Sequence, residues 1–416
     1  MIGDSRNGRD RGPGTGRYDL AVVGAGIVGL AVAREFLRRR GGAKVIVIDK
    51  QDSVACHQTG HNSGVIHSGV YYKPGSLKAR LCVQGARLLY EFCDEHAIRY
   101  ERCGKLIVAV RDDELPRLAD LEERGHANAV PGLRRVRGAE IAAIEPECRG
   151  LAALHSPATG IVDYGAVARA LEQDLRGQGV TFALGCTISA VRRERGQTLL
   201  AHAGGAYRAG WSILCAGLWS DRLAVASGAP ADPRIVPFRG AYLRLAAGQP
   251  AVVRGMVYPV PDPRYPFLGV HLTRDVDNGV HVGPNAVLAL ALEGYRWRDI
   301  GLRDLRDIGS WPGTWRLVRQ HWRNGLAEMA GSLVKRRYLG NVRAYLPDME
   351  LGDLVRSTAG VRAQAIRRDG GLVDDFVLQS AGQVMLVRNA PSPAATSSLA
   401  IAEHIVSALN GKATAS

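Results

Sequence analysis

The stretch YDLAVVGAGIVGLAVAREFLRRRGGAKVIVID, residues 18–49, decides the fold. It opens with a Val-rich run, residues 18–23, that is typical of a strand buried on both faces of a parallel sheet. Three glycines with the spacing GxGxxG follow directly. Residues 30–37 then predict a helix that a glycine pair ends, and residues 44–48 predict a second strand before an acidic residue.

This order of strand, glycine turn, helix, strand and acid predicts a dinucleotide-binding βαβ unit. Gly24 allows the chain to turn, Gly26 lets the backbone approach a pyrophosphate, and Gly29 lets the helix pack closely on the strand. The N-terminus of the helix offers free N–H groups to phosphates. Asp49 suits a ribose diol and repels a 2′-phosphate, which favours the ADP-ribose of FAD or NAD over NADP. The alternative to nucleotide binding is that GxGxxG forms an ordinary glycine turn.

The length and composition predict a globular protein with more than one domain. The chain has 416 residues, of which 46% are hydrophobic and 23% are charged, so it can bury a large core and is not a disordered or fibrous chain. Residues 1–17 are polar and basic without the apolar segment of a secretion signal, so we expect a flexible extension. The longest apolar run, residues 20–33, is too short to cross a bilayer.

The charge balance raises the question of an anionic partner. Lys and Arg number 54 against 40 Asp and Glu, a net charge of +14, but the basic residues lie in scattered clusters. We therefore expect no nucleic acid as a partner and an Arg-rich solvated surface, with an anionic membrane face as the alternative. The seven cysteines have no metal-ligand spacing, so we expect no metal site and a reducing compartment. The predicted location is cytoplasmic, peripheral on the inner face of the membrane.

The later chain mixes helical and strand patterns. A helix at 166–175 and short strand runs around it predict a return to the first sheet, whereas the alternating runs in 237–285 predict an antiparallel sheet. Residues 287–345 have a helical composition, and residues 372–387 return to strands. The last predicted helix, 397–409, buries one apolar face: Leu399, Ala402, Ile405, Val406 and Leu409.

Six further stretches of the chain are distinctive. They are ACHQTGHNSGVIHSGVYY (55–72), PFRGAY (237–242), FLGVHLTR (267–274), VGPNA (282–286), AGVRAQ (359–364) and NAPSPAATS (389–397). On these stretches the chain resembles the FAD-dependent D-amino-acid oxidase and glycerol-3-phosphate dehydrogenase superfamily, and within it the L-2-hydroxyglutarate oxidase/dehydrogenase family. The resemblance covers the chain after its N-terminal extension.

The resemblance implies an α/β fold, α+β overall, with two domains interleaved along the chain. A Rossmann-like FAD-binding domain takes residues 18–90, 150–235 and 346–416, and an antiparallel-sheet substrate domain takes residues 91–149 and 236–345. The implied reaction is oxidation of L-2-hydroxyglutarate, a small dicarboxylate, to 2-oxoglutarate by hydride transfer to flavin N5. Electrons then pass to a membrane quinone or to oxygen.

The resemblance also implies which residues hold FAD. Gly24, Gly26, Gly29 and Asp49 hold its ADP half. The ribityl chain or the flavin is contacted by Thr59, His61, Asn62 and Ser63 in the loop after the second strand, and by Pro391, Ser392, Ala394 and Thr396 before the last helix. From the residues alone, Gly217 follows a short predicted strand, and its small size would let the backbone lie against a cofactor. For the loop after the second strand, the alternative is a surface loop without a cofactor. For the segment before the last helix, the alternative is that this helix only docks the C-terminal part of the chain.

Two histidines are candidates for the base that takes the hydroxyl proton. His67 is the first choice, since imidazole suits proton transfer near neutral pH, and His271 is the second. The alternative for His67 is flavin stacking or a core position. Tyr71 and Tyr72 are candidates to hydrogen-bond the substrate, one of them pointing away because neighbours on a strand alternate faces.

Arginines are the expected anchors of a dicarboxylate, because a guanidinium offers a carboxylate two parallel N–H donors. By resemblance Arg362 anchors the substrate anion and is counted with the catalytic residues, the alternative being a structural ion pair. Arg239 is a second clamp, Arg274 a weaker candidate and Asn285 a neutral helper. Three other readings stay open: a glycerol 3-phosphate substrate, an amino acid substrate, and a non-catalytic flavin-binding redox sensor.

Overall fold

A computed structural model of the chain describes residues 16–246, 252–263, 268–284, 286–320 and 335–413. The strands are β1 (Arg17–Val23), β2 (Val45–Ile48), β3 (Val65–Ile66), β4 (Tyr100–Glu101), β5 (Lys105–Ala109), β6 (Arg134–Val136), β7 (Ala152–Ser156), β8 (Gly160–Val162), β9 (Thr181–Ala183), β10 (Ala190–Glu194), β11 (Gln197–His202), β12 (Gly205–Leu214), β13 (Arg234–Leu245), β14 (Met256–Pro259), β15 (His271–Arg274), β16 (Val280–Gly283), β17 (Val287–Leu288), β18 (Leu354–Ile366), β19 (Val377–Ala381) and β20 (Val384–Asn389). The helices are α1 (Ile27–Arg39), α2 (Leu77–Glu95), α3 (Leu115–Ala127), α4 (Ala139–Ile144), α5 (Tyr164–Gly177), α6 (Ser220–Ala226), α7 (Leu302–Ser310), α8 (Lys335–Arg343) and α9 (Ser398–Ala413).

The first sheet contains the predicted βαβ unit. Strands β9, β2, β1, β12 and β20 run parallel in that order, and the β10–β11 hairpin and β19 add antiparallel strands. Helix α1 begins at Ile27, earlier than predicted, because Gly26 is its N-cap residue. The prediction of a Rossmann-like α/β domain is confirmed.

Helices α1, α2, α5 and α9 cover one face of this sheet around a single apolar cluster. Every residue of the predicted α9 face is buried: Leu399, Ala402, Ile405, Val406 and Leu409. Burying a large aliphatic side chain stabilises a fold by about 2 kcal/mol, so α9 is held firmly on α1. This packing fixes the start of α9 beside the first sheet.

The second sheet has the strand order β17-β13-β16-β15-β14-β5-β7-β6, with β18 on the other side of β13. The pairs β13–β16, β16–β15 and β15–β14 are antiparallel, as predicted for residues 237–285. Strand β18, which was not predicted, pairs antiparallel with β13, and β14 runs parallel to β5.

The helical prediction for residues 287–345 is wrong for residues 287–301, which form β17 and then turns, since Gly294 and Gly301 interrupt the segment. Residues 321–334 of this prediction lie outside the described residues. Helix begins only at α7. No helix in the described part of the chain is long and apolar enough to cross a bilayer.

Strands β7 and β18 hydrogen-bond into the second sheet. The predicted boundaries assign both strands to the FAD-binding domain, because neither carries an alternation that distinguishes one sheet from the other. The long β13–β18 pair therefore joins two segments that the predicted division separates. The division into two domains stays a prediction.

Several polar side chains of the candidate site lie on one face of the second sheet. In the β5 register, Lys105 lies opposite Ser156 on β7 and Met256 on β14. Met256 in turn lies opposite Thr273 on β15. Because side chains alternate faces along a strand, Tyr258 and His271 share this face with Lys105.

Candidate active site and cofactor cradle

The glycine turn leaves no room for side chains at two positions. Gly24 has a φ of +113°, and a Cβ there would lie 2.2 Å from the carbonyl oxygen of Cys215. A Cβ on Gly29 would lie 2.0 Å from the carbonyl oxygen of Gly24. At Gly26 the nearest atom to an added Cβ is the hydroxyl of Thr59, at 3.2 Å. The turn is therefore built for close backbone approach, as a pyrophosphate requires.

Asp49 and Thr59 bind the backbone of this turn. The Asp49 carboxylate accepts hydrogen bonds from the N–H groups of Ala25, at 2.7 Å, and Gln51, at 2.9 Å. The Thr59 hydroxyl accepts one from the N–H of Ile27, at 3.1 Å, at the start of α1. The acid thus lies beside the glycine turn at the carboxyl end of β2, where a ribose diol would reach it.

The loop after β2 uses several of its polar groups internally. The Asn62 amide donates to the carbonyls of Gln58 and Thr59, and the His61 ring bonds the carbonyl of His57 and packs on Tyr295 with centroids 4.4 Å apart. The Ser63 hydroxyl interacts with the phenol of Tyr242. These predicted cofactor residues lie together in one loop, and their role toward a flavin stays a prediction.

This loop approaches two other parts of the fold. A Cβ on Gly360 of β18 would lie 2.7 Å from the carbonyl oxygen of His61. Gly217, with a φ of +52°, lies in the turn after β12, and a Cβ there would be 3.0 Å from the Gln58 side chain. The loop therefore lies against the middle of β18 in the second sheet and near the end of β12 in the first.

The segment before α9 contacts the loop that carries His67. The Thr396 hydroxyl accepts a hydrogen bond from the His67 N–H, at 3.1 Å, and bonds the Tyr164 hydroxyl at 2.8 Å. The Ser392 hydroxyl lies 3.4 Å from His67 Nε2. The chain turns over these residues through a hydrogen bond from the N–H of Ala394 to the carbonyl of Pro391. The structure thus brings the predicted residues at both ends of the chain to one place.

Polar atoms without partners lie at the same place. The hydroxyls of Ser397 and Ser398 are buried and have no hydrogen-bond partner among the described residues. Buried polar atoms in native proteins are nearly always hydrogen-bonded, so these atoms indicate a polar group that belongs here. Together with the side-chain-free glycine turn and the placement of Asp49, they fit a dinucleotide cofactor.

Both candidate bases carry no charge at neutral pH. Burial lowers the pKa of His67 well below its usual value, and the positive charges of Lys105 and Lys78 lower it further. Burial also lowers the pKa of His271, to about 3, with Arg362 and Lys105 adding to the effect. Each ring can therefore accept a proton, and a bound anion would raise both pKa values because opposite charges stabilise the imidazolium.

Arg362 lies in this site and the other two predicted arginines do not. Its charge lowers the pKa of His271 and acts on Tyr242 and Tyr258. Phe238 is the β13 residue opposite Arg362, so the next residue, Arg239, points to the other face of the sheet.

On that other face Arg239 donates to the carbonyl of Tyr295, at 3.0 Å, and covers the Trp297 ring. Arg274 also points away from His271, pairing with Glu101 and donating to the carbonyl of Arg254. The second clamp predicted from Arg239 is thus not brought together with Arg362, since strand alternation separates them. Asn285 lies outside the described residues.

Tyr71 and Tyr72 lie in a turn, so the strand alternation expected for them is wrong. Both rings approach a lysine: Lys105 Nζ is 4.9 Å from the Tyr71 centroid, and Lys78 Nζ is 5.1 Å from the Tyr72 centroid. Burial raises the pKa of both phenols well above the usual value, so both stay protonated donors. The Tyr71 hydroxyl has no partner among the described residues.

Sequence reasoning missed Lys105 and Tyr258. Lys105 Nζ lies 4.6 Å from the Tyr258 centroid, and Tyr258 stacks on His271. A signal for Lys105 is present in the sequence, since it precedes the apolar run LIVAV and a lysine seldom begins a strand that is buried on every residue. Tyr258 carries no such signal, because tyrosine is common in strands.

Comparison with known proteins agrees with this geometry. The family model described as FAD dependent oxidoreductase matches residues 19–408. The mitochondrial L-2-hydroxyglutarate dehydrogenase of Homo sapiens is 45% identical over 415 residues, covering 96% of this chain and 90% of the human protein. The L-2-hydroxyglutarate dehydrogenase of Escherichia coli strain K12 is 44% identical over 393 residues, covering 94% and 92% of the two chains.

Solved structures show the same fold. The L-alpha-glycerophosphate oxidase of Mycoplasma pneumoniae, with FAD bound, superposes with a TM-score of 0.77 at 21% identity, covering 95% of each chain. Glycine oxidase of Geobacillus kaustophilus gives a TM-score of 0.70 at 17% identity, covering 94% of each chain. With the glycine turn, the Asp49 contacts and a family match over nearly the whole length, the chain belongs to the FAD dependent oxidoreductase family.

Proposed function

We propose that this chain oxidises L-2-hydroxyglutarate to 2-oxoglutarate with FAD as its cofactor. The observation that carries the proposal is that Arg362 acts on the uncharged ring of His271, and His271 acts on the uncharged ring of His67, which lies beside the segment before α9. An arginine suits the carboxylate of a 2-hydroxy acid, and a neutral imidazole suits its hydroxyl proton. The relatives named above, at about 45% identity, support the choice of substrate.

Two groups of residues would hold the cofactor. Gly24, Gly26, Gly29 and Asp49 would hold the ADP half, and the segment before α9 would lie against the flavin. The N-terminus of α9 carries a partial positive charge, which favours negative charge nearby. When bound, FAD supplies the two-electron acceptor of the oxidation.

The protein's own residues bind, orient and deprotonate the substrate. Arg362 binds the carboxylate next to the hydroxyl-bearing carbon, which turns the hydroxyl toward the histidines. His67 Nδ1, which has no partner in the described residues, receives the hydroxyl proton. His271 offers Nε2 to the substrate, because its Nδ1 bonds the carbonyl of Gly269 at 2.8 Å. The substrate's charge raises the pKa of His67 toward the range in which it can hold that proton.

We further propose that electrons leave toward a membrane quinone, with oxygen as the alternative acceptor. The exposed segment RWRDIGLR, residues 296–303, carries three arginines and the exposed apolar side chains of Trp297, Ile300 and Leu302. Arginines beside exposed apolar groups suit an anionic bilayer surface. All seven cysteines are free thiols, as is typical of a protein in a reducing compartment, and this supports the cytoplasmic side.

Anaerobic flavin absorbance tests the proposed reaction. Purified holoenzyme is mixed in turn with L-2-hydroxyglutarate, D-2-hydroxyglutarate, glycerol 3-phosphate and glycine. We expect only the L-hydroxy acid to bleach the flavin band. Arg362→Ala should raise the L-2-hydroxyglutarate concentration needed for bleaching by about 100-fold or more while the protein keeps its FAD.

Arg356→Ala is the matched control for this measurement, since Arg356 is an exposed arginine on the same strand. It should behave as the unmodified chain does. Bleaching by both enantiomers alike, or by glycerol 3-phosphate or glycine instead, would reject the proposal. A yellow protein that none of the four compounds bleaches would favour the redox-sensor reading.

A further inference from the structure

Lys105 is a buried cation at the start of β5. The residue is 2% exposed, and its ammonium group lies against two aromatic rings, 4.9 Å from the Tyr71 centroid and 4.6 Å from the Tyr258 centroid. Among the residues that the structure describes, no carboxylate is within ion-pair distance of it. The ring faces are electron-rich and stabilise a cation, but they carry no net negative charge.

The thiols near Lys105 do not balance its charge. Burial raises the pKa of Cys82 to about 12 and that of Cys103 to about 11, so both thiols are neutral at cellular pH. A buried cation without a counter-charge is unfavourable, and burial accordingly lowers the pKa of Lys105 to about 8. At neutral pH Lys105 is therefore still mostly protonated.

Lys78 differs from Lys105 in having a counter-charge. It is also buried, yet its ammonium group pairs with the Asp374 carboxylate at 2.9 Å and donates to the Asp374 carbonyl at 2.8 Å. The fold therefore supplies a counter-charge where a lysine has a structural role. The lack of one at Lys105 indicates that an anion from outside the chain completes this position.

Lys105 and Arg362 both act on His271. Both charges lower the pKa of the His271 ring, and Lys105 also acts on His67. Strand alternation places Lys105, Tyr258 and His271 on one face of the second sheet. Lys105 lies 4.6 Å from the Tyr258 ring, which stacks on His271, and Arg362 acts on both of these rings. The site therefore offers two positive charges, one for each carboxylate of a diacid.

We infer that Lys105 binds the second carboxylate of a dicarboxylate substrate, the one distant from the hydroxyl group, while Arg362 binds the first. This assignment rests on the proposed function and extends it, because it names the residue that selects diacids. A substrate with a methyl group in place of the distal carboxylate would leave Lys105 buried without a counter-charge. A site with an unpaired buried polar group discriminates strongly against such an analogue.

Steady-state kinetics of the holoenzyme test the assignment with Lys105→Met, which keeps the side-chain length and removes the charge. The two substrates are L-2-hydroxyglutarate and L-2-hydroxyvalerate, which has a methyl group in place of the distal carboxylate. We expect Lys105→Met to lower kcat/KM for the diacid by about 100-fold or more, chiefly through KM. For the hydroxyvalerate we expect kcat/KM to rise, because Lys105→Met removes the unpaired cation that its methyl group would otherwise meet.

Lys44→Met, at an exposed lysine, is the control and should leave both values unchanged. Lys105→Arg keeps the charge and should retain more of the diacid preference than Lys105→Met. Equal losses for both substrates in Lys105→Met would overturn the assignment, since a general structural defect has that effect. An unchanged KM for the diacid would overturn it as well.

Binding of glutarate separates this inference from the proposed reaction, because glutarate has two carboxylates and no hydroxyl group to oxidise. Thermal melting of the holoenzyme is followed with and without glutarate. The unmodified chain should gain melting temperature with glutarate, and Lys105→Met should not, although it should melt higher than the unmodified chain without ligand. That pattern would support the assignment even if L-2-hydroxyglutarate were not oxidised, and an unmodified chain that glutarate does not stabilise would refute it.

Discussion

The imidazole of His271 stacks on the phenol ring of Tyr258, with ring centroids 4.1 Å apart and an interplanar angle of 26°. The Nδ1 atom of the same imidazole lies 2.8 Å from the carbonyl oxygen of Gly269. Because a carbonyl only accepts hydrogen bonds, Nδ1 carries the proton of the neutral ring and Nε2 keeps its lone pair. The stack and the hydrogen bond together fix the ring's position and tautomer, so His271 is suited to orient a substrate.

Among the described residues, His67 does not have both a ring stack and a backbone hydrogen bond to fix it. Substituting the two histidines should therefore affect different kinetic constants. We expect His67→Asn to lower the rate of flavin reduction by L-2-hydroxyglutarate by roughly 100- to 10,000-fold, the usual contribution of a general base. We expect His271→Asn to act mainly on the substrate concentration at half-maximal rate. Rapid mixing under anaerobic conditions measures both quantities, with the FAD content of each variant as the control. A full reduction rate in His67→Asn, with the rate lost in His271→Asn, would reverse the two roles.

The glycine turn leads to a prediction about FAD binding and thermal stability. Gly24→Ala places a Cβ 2.2 Å from the Cys215 carbonyl oxygen at a φ of +113°, so backbone must move. We expect a protein that retains little FAD, measured as the ratio of flavin to protein absorbance, and that melts at least about 4 °C lower. Gly41→Ala is the control, because a Cβ there meets no atom within 4 Å. Equal FAD content in the two variants would contradict the proposed role of the glycine turn in holding FAD.

The sequence was sufficient for the βαβ unit of the first sheet, whereas it predicted no strand at β11. The spacing of Gly24, Gly26 and Gly29 between two apolar runs fits a βαβ unit, and the observed β1, α1 and β2 confirm it. The periodic face of α9 likewise predicts its burial. Residues 289–301 carry no comparable period, and their turns depend on contacts such as that of the Leu292 N–H with the Asp304 carboxylate.

The site was harder to predict because it depends on which strands become neighbours. Arg239 and Arg362 are both conspicuous in the sequence, but only the β13–β18 register shows that they point to opposite faces. Lys105 joins Tyr258 and His271 through the pairing of β5 with β14, a parallel pair between residues far apart in the chain. Such register is set by long-range packing and leaves no local pattern.

The exposed segment 296–303 leads to a prediction about membranes. Replacing Ile300 and Leu302 together by serine removes apolar surface worth about 2 kcal/mol for each side chain if both insert into a bilayer. We therefore expect at least about 10-fold weaker cosedimentation with vesicles that contain phosphatidylglycerol, with unchanged flavin reduction by L-2-hydroxyglutarate. Leu151→Ser, at another exposed leucine, should leave vesicle binding as it is. Equal binding of all three proteins would show that this segment does not face the bilayer.

The buried imidazole of His271 should limit stability in acid. Its pKa is about 3 in the folded chain against a usual value of 6.5, so below about pH 6.5 the unfolded chain binds a proton that the folded chain does not. Unfolding is then favoured as the pH falls, and stability is lost progressively between about pH 6.5 and pH 3. At about pH 5 this amounts to about 2 kcal/mol, since each unit of pKa difference corresponds to about 1.4 kcal/mol.

His271→Asn removes the titrating group, and its loss of stability between about pH 7 and pH 5 should be smaller than that of the unmodified chain by this amount. Urea unfolding of the holoenzyme at the two pH values measures the difference. Each protein is compared with itself at the other pH, so a packing defect that lowers its free energy of unfolding equally at both pH values cancels. His126→Asn, at an exposed histidine, should leave the pH dependence unchanged. If His271→Asn lost as much stability on acidification as the unmodified chain, His271 would be protonated as readily in the folded as in the unfolded state, and its proposed role as a neutral hydrogen-bonding group would fail with it.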